Sequence, residues 1–342
     1  MLIGLCGAAC AGKKVVQDYL EQRHGFTGLC IDERLNDREP DGERRDMCMA
    51  IEGRRPRVRS YFLTVDRLME FVTANWSVNY VMPVKTPLVA DALARRPFFL
   101  LINVEASVTQ RHQRLVKSCL DVGKEPPPLE VFITEHDKLF YTHPTNLSAL
   151  APKAKLTILN HSTRQALWAS LDALNLPDPA RLRPTWDAYF MALASLAATR
   201  SNCMRRRVGC VLVRACRVIS TGYNGTPRHL PNCNAGGCPR CNDPEAASGG
   251  AGLSTCLCIH AEENALLEAG RDRVGEGSVL YCDTCPCLTC SIKICQVGIG
   301  EVVYSQSYYM DTEAAQVFRQ AGVKLRQFSP PAEGLVEMNG SM

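Results

Sequence analysis

His260-Ala-Glu262, followed 24 residues beyond that glutamate by Pro286-Cys287-Leu-Thr-Cys290, settles the architecture of the second half of this chain. One imidazole and two thiols at this spacing form a three-ligand zinc set. Such a set leaves the fourth tetrahedral position for water, which a catalytic site needs and a structural site lacks. The reading places His260 at the start of one helix and Cys287 and Cys290 at the start of another. Helix N-termini carry positive potential, which favours the thiolates that zinc requires. Glu262 falls in the same first turn as His260, where it can face the open position and move protons without ligating the metal. A purely structural site has no need of this glutamate and ordinarily shows four ligands.

Working outward, strands alternate with helices. Residues 185–200 read as a helix with Thr185 as N-cap, and 208–213 and 217–222 as a tightly joined pair of strands. Helix (260–269), strand (279–282), helix (287–297), strand (302–304), helix (312–321) and strand (323–326) follow. This order predicts an α/β/α layered sheet. Trp186 and Tyr189 read as core residues of the entering helix, and Arg205-Arg-Arg207 as a solvated basic face.

Of 18 cysteines, 13 fall between Cys203 and Cys295. Cys233, Cys238, Cys241, Cys256 and Cys258 crowd one loop, with Cys203 just upstream. Their C-x4-C and C-x2-C spacings suit a closed tetrahedral thiolate site. A loop of about 30 residues without much secondary structure is uncommon unless something pins it. A structural zinc held by four of these six is expected, and spacing does not select the four.

The first half opens as strand, glycine loop, helix (15–22) and strand (28–31). Gly7-Ala-Ala-Cys-Ala-Gly12-Lys13-Lys14 fits G-x4-G-K, whose backbone amides and lysine cradle phosphates. Lys14 stands where a Ser or Thr would hold magnesium, so the motif is degenerate. Residues 32–59 carry 8 acidic and 8 basic side chains and read as an exposed insertion. Helices are expected at 65–73, 85–94 and 163–174, and strands at 98–104 and 156–159. Pro126-Pro-Pro128 reads as an interruption. Pro177, Pro179 and Pro184 mark a boundary near residue 180, and the tail after Pro330 reads as frayed.

A length of 342 residues predicts about two domains. With 46% hydrophobic and 22% charged residues, wholesale disorder is excluded. A balance of +4 gives no electrostatic case for nucleic acid, and no apolar run reaches the roughly 18 residues of a membrane span. The opening residues reverse the charge order of a secretory signal, so a soluble, intracellular protein is expected.

The pattern H-x-E…P-C-x-x-C is that of zinc-dependent nucleobase deaminases. From about 183 to 328 the chain closely resembles the deoxycytidylate (dCMP) deaminases, particularly the fungal form. The matching segments are Arg207-Val-Gly-Cys-Val-Leu-Val213, Gly222-Tyr-Asn-Gly-Thr-Pro227, His260-Ala-Glu-Glu-Asn-Ala-Leu-Leu267 and Cys285-Pro-Cys-Leu-Thr-Cys290. The resemblance implies a three-layer α/β/α fold with a mixed sheet in residues 181–330, followed by a tail at 331–342. Before it, residues 1–180 resemble a P-loop nucleotide-kinase-like α/β domain, with nucleotide contacts at Gly7, Gly12 and Lys13.

The implied reaction is hydrolysis of dCMP to dUMP and ammonia, feeding thymidylate synthesis, with dCTP activating and dTTP inhibiting. The resemblance assigns His260, Cys287 and Cys290 to the catalytic zinc and Glu262 to proton transfer. It gives Asn224 and Tyr304 contacts with substrate, and Cys203, Cys233 and Cys258 places in a second zinc site, completed from Cys238, Cys241 or Cys256. It further implies a homo-oligomer, often a hexamer, in the cytoplasm and also the nucleus, with magnesium accompanying the nucleotide effector. Two rival readings are a deaminase acting on another cytosine nucleotide, nucleoside or nucleic acid, and a non-catalytic, zinc-stabilised nucleotide-binding regulator.

Overall fold

Leu2–Cys6 is apolar apart from one glycine and buried at every position, the mark of a central strand covered on both faces. This strand, β1, begins the first of two units into which the chain divides, Met1–Arg183 with Ala332–Met342, and Pro184–Pro331. The computed structural model describes residues 1–31, 42–45, 58–142, 146–245, 255–307, 311–329 and 334–337. Most of the charged stretch 32–59 lies outside the described residues.

In the first unit β1 is followed by α1 (Lys13–His24), β2 (Thr27–Ile31), β3 (Gly42–Arg45), β4 (Val58–Phe62), α2 (Val65–Ala74), β5 (Tyr80–Pro83) and α3 (Pro87–Ala94). Then come β6 (Phe99–Glu105), α4 (Val108–Asp121), α5 (Leu129–Tyr141), β7 (Leu156–Leu159) and α6 (Arg164–Leu174). Helices α4 and α5 are additions to the expected elements. The triple proline separates them and supplies Pro128 as the N-cap of α5, so it starts a helix as well as breaking one.

The second unit holds α7 (Trp186–Ala198), β8 (Gly209–Arg214), β9 (Arg217–Tyr223), the short α8 (Pro239–Asn242), α9 (Ala261–Ala269) and β10 (Val279–Thr284). It continues with α10 (Leu288–Gln296), β11 (Glu301–Gln306), α11 (Asp311–Gln320) and β12 (Lys324–Gln327). A final strand, β13 (Gly334–Glu337), returns to the first unit. It pairs in parallel with β7, Gly334 opposite Leu156. The expectation of a frayed tail is thereby corrected for residues 334–337. Four residues with two apolar side chains give no periodicity, and only the open edge of β7 makes them a strand.

The first sheet runs β13-β7-β6-β1-β5-β2-β4-β3. All its pairings are parallel except β3 with β4. The second runs β12-β11-β10-β8-β9. It is mixed, with β10, β11 and β12 parallel and the β8–β9 hairpin antiparallel. Alternate residues of its strands feed two cores. Cys210, Leu212, Leu280 and Val302 meet α9, α10 and α11, while Val211, Val213, Tyr281 and Val303 meet Phe190, Met191 and Ala194 of α7. That is the three-layer α/β/α arrangement. Trp186 and Tyr189, expected in the core, are instead 54% and 44% exposed, because α7 turns Phe190 and its helical neighbours inward.

Glycine at 222 seats the helix that carries the site. A Cβ there would stand 2.1 Å from Ala261 O and 2.5 Å from Ala265 N, backbone atoms of α9 that cannot swing aside. Gly222→Ala is expected to lower unfolding stability by about 1–3 kcal/mol through overpacking. An unchanged urea midpoint would show that α9 does not rest on this strand.

Candidate active site

Two helix N-termini meet at the three donors expected to hold zinc. His260 is the N-cap of α9 and Cys287 the N-cap of α10, both in extended backbone conformation, and Cys290 lies in the first turn of α10. The approach to α9 is pinned by a bridge in which Gly225 N donates to Ile259 O at 3.2 Å and Ile259 N to Gly225 O at 3.0 Å. Asn264 Nδ2 donates to Tyr223 O at 2.9 Å, tying the first turns of α9 to the end of β9.

The donor atoms of His260, Cys287 and Cys290 all lie within 4.8 Å of one another. Both sulfurs stand 3.3 Å from His260 Nδ1. A tetrahedral zinc with Zn–S near 2.3 Å and Zn–N near 2.0–2.1 Å would set these S···N edges at about 3.6 Å. The donor set therefore fits zinc in both chemistry and spacing. Hydrogen bonding with Cys290, then His260 and Thr289, draws the Cys287 thiol down to about 3, while its shared bond with Cys287 and burial push Cys290 up. Hydrogen bonding to Cys287 raises His260 to about 8 against the effect of burial.

Glu262 lies in the first turn of α9 and is 4% exposed. Burial lifts its carboxyl to about 7, with nearby His260 opposing the rise. In contrast, its neighbour Glu263 pairs with Lys293 at 2.6 Å.

Asn224, at the end of β9, is buried and holds the 201–208 segment. Its Oδ1 accepts from Val208 N at 2.8 Å, and its Nδ2 donates one hydrogen to Arg206 O at 2.8 Å. Ser201 Oγ sits 2.7 Å from both the carbonyl O and Oδ1 of Asn224. Ser201 was not singled out in the sequence; a lone serine after a helix carries no spacing signal. Tyr304 lies opposite Cys282 in the β10–β11 register, toward the C-terminal ends of those parallel strands. Arg205 and Arg207 are exposed, in keeping with the solvated-face expectation, and Arg206 is half-buried. Arg205 Nε donates to Cys241 O at 3.2 Å, and Arg206 Nη2 to Thr284 Oγ1 at 2.9 Å and Gln306 Oε1 at 3.1 Å.

Cys203, Cys233, Cys238, Cys241, Cys256 and Cys258 form one buried or half-buried cluster. In the first unit, Gly7 and Gly12 lie in the β1–α1 loop and Lys13 opens α1, its Nζ donating to Gly7 O and Ala8 O at 2.7 Å each. Burial lowers the Lys13 ammonium below its ordinary range.

A mixed three-layer sheet with His, Cys, Cys and a buried glutamate at paired helix starts defines a zinc-dependent deaminase. A family model described as the cytidine and deoxycytidylate deaminase zinc-binding region matches residues 184–306. The chain is 46% identical over 339 residues to the deoxycytidylate deaminase of Schizosaccharomyces pombe (strain 972 / ATCC 24843), covering 97% of this chain and 99% of that one. It is 47% identical over 285 residues to the deoxycytidylate deaminase of Saccharomyces cerevisiae (strain ATCC 204508 / S288c), covering 80% and 88% respectively. The chain belongs to the deoxycytidylate deaminase family, and it is a zinc enzyme. A crystal structure of dCMP deaminase from the cyanophage S-TIM5 in complex with dCMP and dUMP matches 42% of this chain and 98% of its own, at 29% identity and TM-score 0.35. Among the described residues no helix is long and apolar enough to cross a membrane.

Proposed function

We propose that this enzyme hydrolyses dCMP to dUMP and ammonia, with His260, Cys287 and Cys290 holding the catalytic zinc and Glu262 moving the protons. The observation that carries the assignment is the meeting of these three donors at two helix starts, with the buried carboxyl of Glu262 in the first turn of α9. Zinc, when bound, supplies Lewis-acid activation of water near neutral pH. Glu262 accepts a proton as the water oxygen bonds to C4, and delivers it to ring N3. It then passes the second proton to the amino group as the C4–N bond breaks and ammonia leaves. The remaining hydrogen of Asn224 Nδ2 is directed to the sugar or phosphate, and Tyr304 borders the substrate.

The cysteine cluster holds a structural zinc in this reading. Residues 1–180 form a degenerate P-loop domain that senses nucleotide, with dCTP activating, dTTP inhibiting and magnesium accompanying the effector. Its support is a parallel β7-β6-β1-β5-β2 core and a glycine loop leading from β1 into α1. Gly7 and Gly12 take φ of 125° and 110° in that loop. Lys13 bonds the loop's own carbonyls, so a phosphate must draw its ammonium away. A homo-oligomer in the cytoplasm and nucleus completes the proposal.

The test is ammonia release from dCMP, dCTP, CMP and deoxycytidine, each with and without dCTP as effector. Preference for dCMP, raised by dCTP, is expected. Preference for another cytosine compound would reassign the substrate, and a rate indifferent to dCTP would remove the regulatory reading.

A further inference from the structure

Six sulfurs in the second unit fall into two overlapping groups. Cys203, Cys233, Cys241 and Cys258 form one four-sulfur set and Cys238, Cys241, Cys256 and Cys258 another, the Sγ atoms of each set lying within 4.8 Å of one another. Two tetrahedra with two corners in common share an edge, here Cys241–Cys258. Zn–S bonds of about 2.3 Å give a tetrahedral S···S edge of about 3.8 Å. The Cys203–Cys241 and Cys238–Cys256 separations are 3.8 Å and Cys241–Cys256 is 3.6 Å. A disulfide would need about 2.05 Å, and all six thiols are free.

The geometry points to two zinc ions in this cluster instead of one, bridged by the thiolates of Cys241 and Cys258. Cys203 and Cys233 complete the shell of one ion, Cys238 and Cys256 that of the other. The inference deepens the structural-zinc reading above and rests on it. Its second support is the backbone. Met204 N–H donates to Cys233 Sγ at 3.4 Å and Leu257 N–H donates to Cys238 Sγ at 3.4 Å. A neutral thiol is a weak acceptor, so an amide aimed at an outer sulfur of each set marks a thiolate position in both. A single ion in either set would leave the other set's outer sulfurs with such a donor and no metal. Six thiolates and two Zn2+ leave an excess of about two negative charges. Arg205 offsets part of it, its guanidinium bonding the carbonyls of Cys241 and Asp243 beside the bridge.

Zinc content of the purified full-length protein, by plasma mass spectrometry, is expected to be about three ions per chain, one catalytic and two in the cluster. Two per chain would overturn the bridged pair and keep a single structural zinc. One per chain would overturn both readings. After exchange into cadmium-113, nuclear magnetic resonance should show two all-sulfur signals, each split by the other through the shared thiolates. One unsplit all-sulfur signal would overturn the cluster. Cys203→Ser and Cys256→Ser remove outer ligands of different ions, and each should lower zinc content without touching the catalytic ligands. If neither variant folds, the cadmium spectrum of the unmodified protein still decides.

Discussion

Glu262→Gln is expected to cut the deamination rate by about 10²–10⁴-fold, the contribution ordinarily made by a positioned general acid–base group. Zinc content should not change. Glutamine keeps the size and shape of the buried side chain, so the first turn of α9 can stay seated on β9, and His260 stays its N-cap. What glutamine cannot do is take a proton from water and return it to the leaving amino group. The paired readout separates the alternatives. Turnover at the normal level would remove Glu262 from the chemistry. A loss of zinc alongside the loss of rate would make the residue structural.

Cys290→Ala is expected to lose about one zinc per chain and at least about 10³-fold in rate, because a three-ligand site reduced to two no longer holds its metal and several kcal/mol of Lewis-acid stabilisation go with it. The side chain is 1% exposed and lies in the first turn of α10, where alanine is a good helix former. Far-ultraviolet circular dichroism should therefore report an intact fold. Cys295→Ala is the control: that half-buried thiol is on the same helix but belongs to none of the donor groups that could hold a metal among the described residues. It should keep both zinc and rate. Retention of full zinc in the Cys290 variant would overturn the ligand set.

His260, Cys287 and Cys290 were legible because each lies in a short local pattern. H-x-E and P-C-x-x-C place residues on a first helical turn whatever the rest of the chain does, and the folded chain sets them at two facing helix starts. The strand–helix alternation of the second unit was legible for a related reason, since buried strands such as β8 and β10 are continuous apolar runs between turns. Helices α4 and α5 were hidden by composition. In α5 exposed apolar side chains, Val131 and Leu139 among them, blur the one-sided pattern that marks an amphipathic helix, whereas α4 is one-sided but polar at most of its positions. The outward placing of Trp186 was equally hidden, because the helix turn that faces the sheet depends on which strand it meets. Asn224 stood out through its Gly-Tyr-Asn-Gly turn. Its holding of the 201–208 segment did not, since single hydrogen-bond partners far apart in sequence leave no spacing to read.

The return of the chain to supply β13 has a consequence for biosynthesis. Translation proceeds at roughly 5–20 residues per second, and the catalytic unit lies between β7 and its partner. The outer edge of β7 thus emerges from the ribosome on the order of ten seconds or more before the strand that covers it. During that interval its backbone donors and acceptors are open to any passing strand, the exposure that leads nascent chains to pair with one another. The shortness of β7, four residues, limits that hazard, and the late-made strand covers this edge while becoming the four-residue edge of the sheet itself.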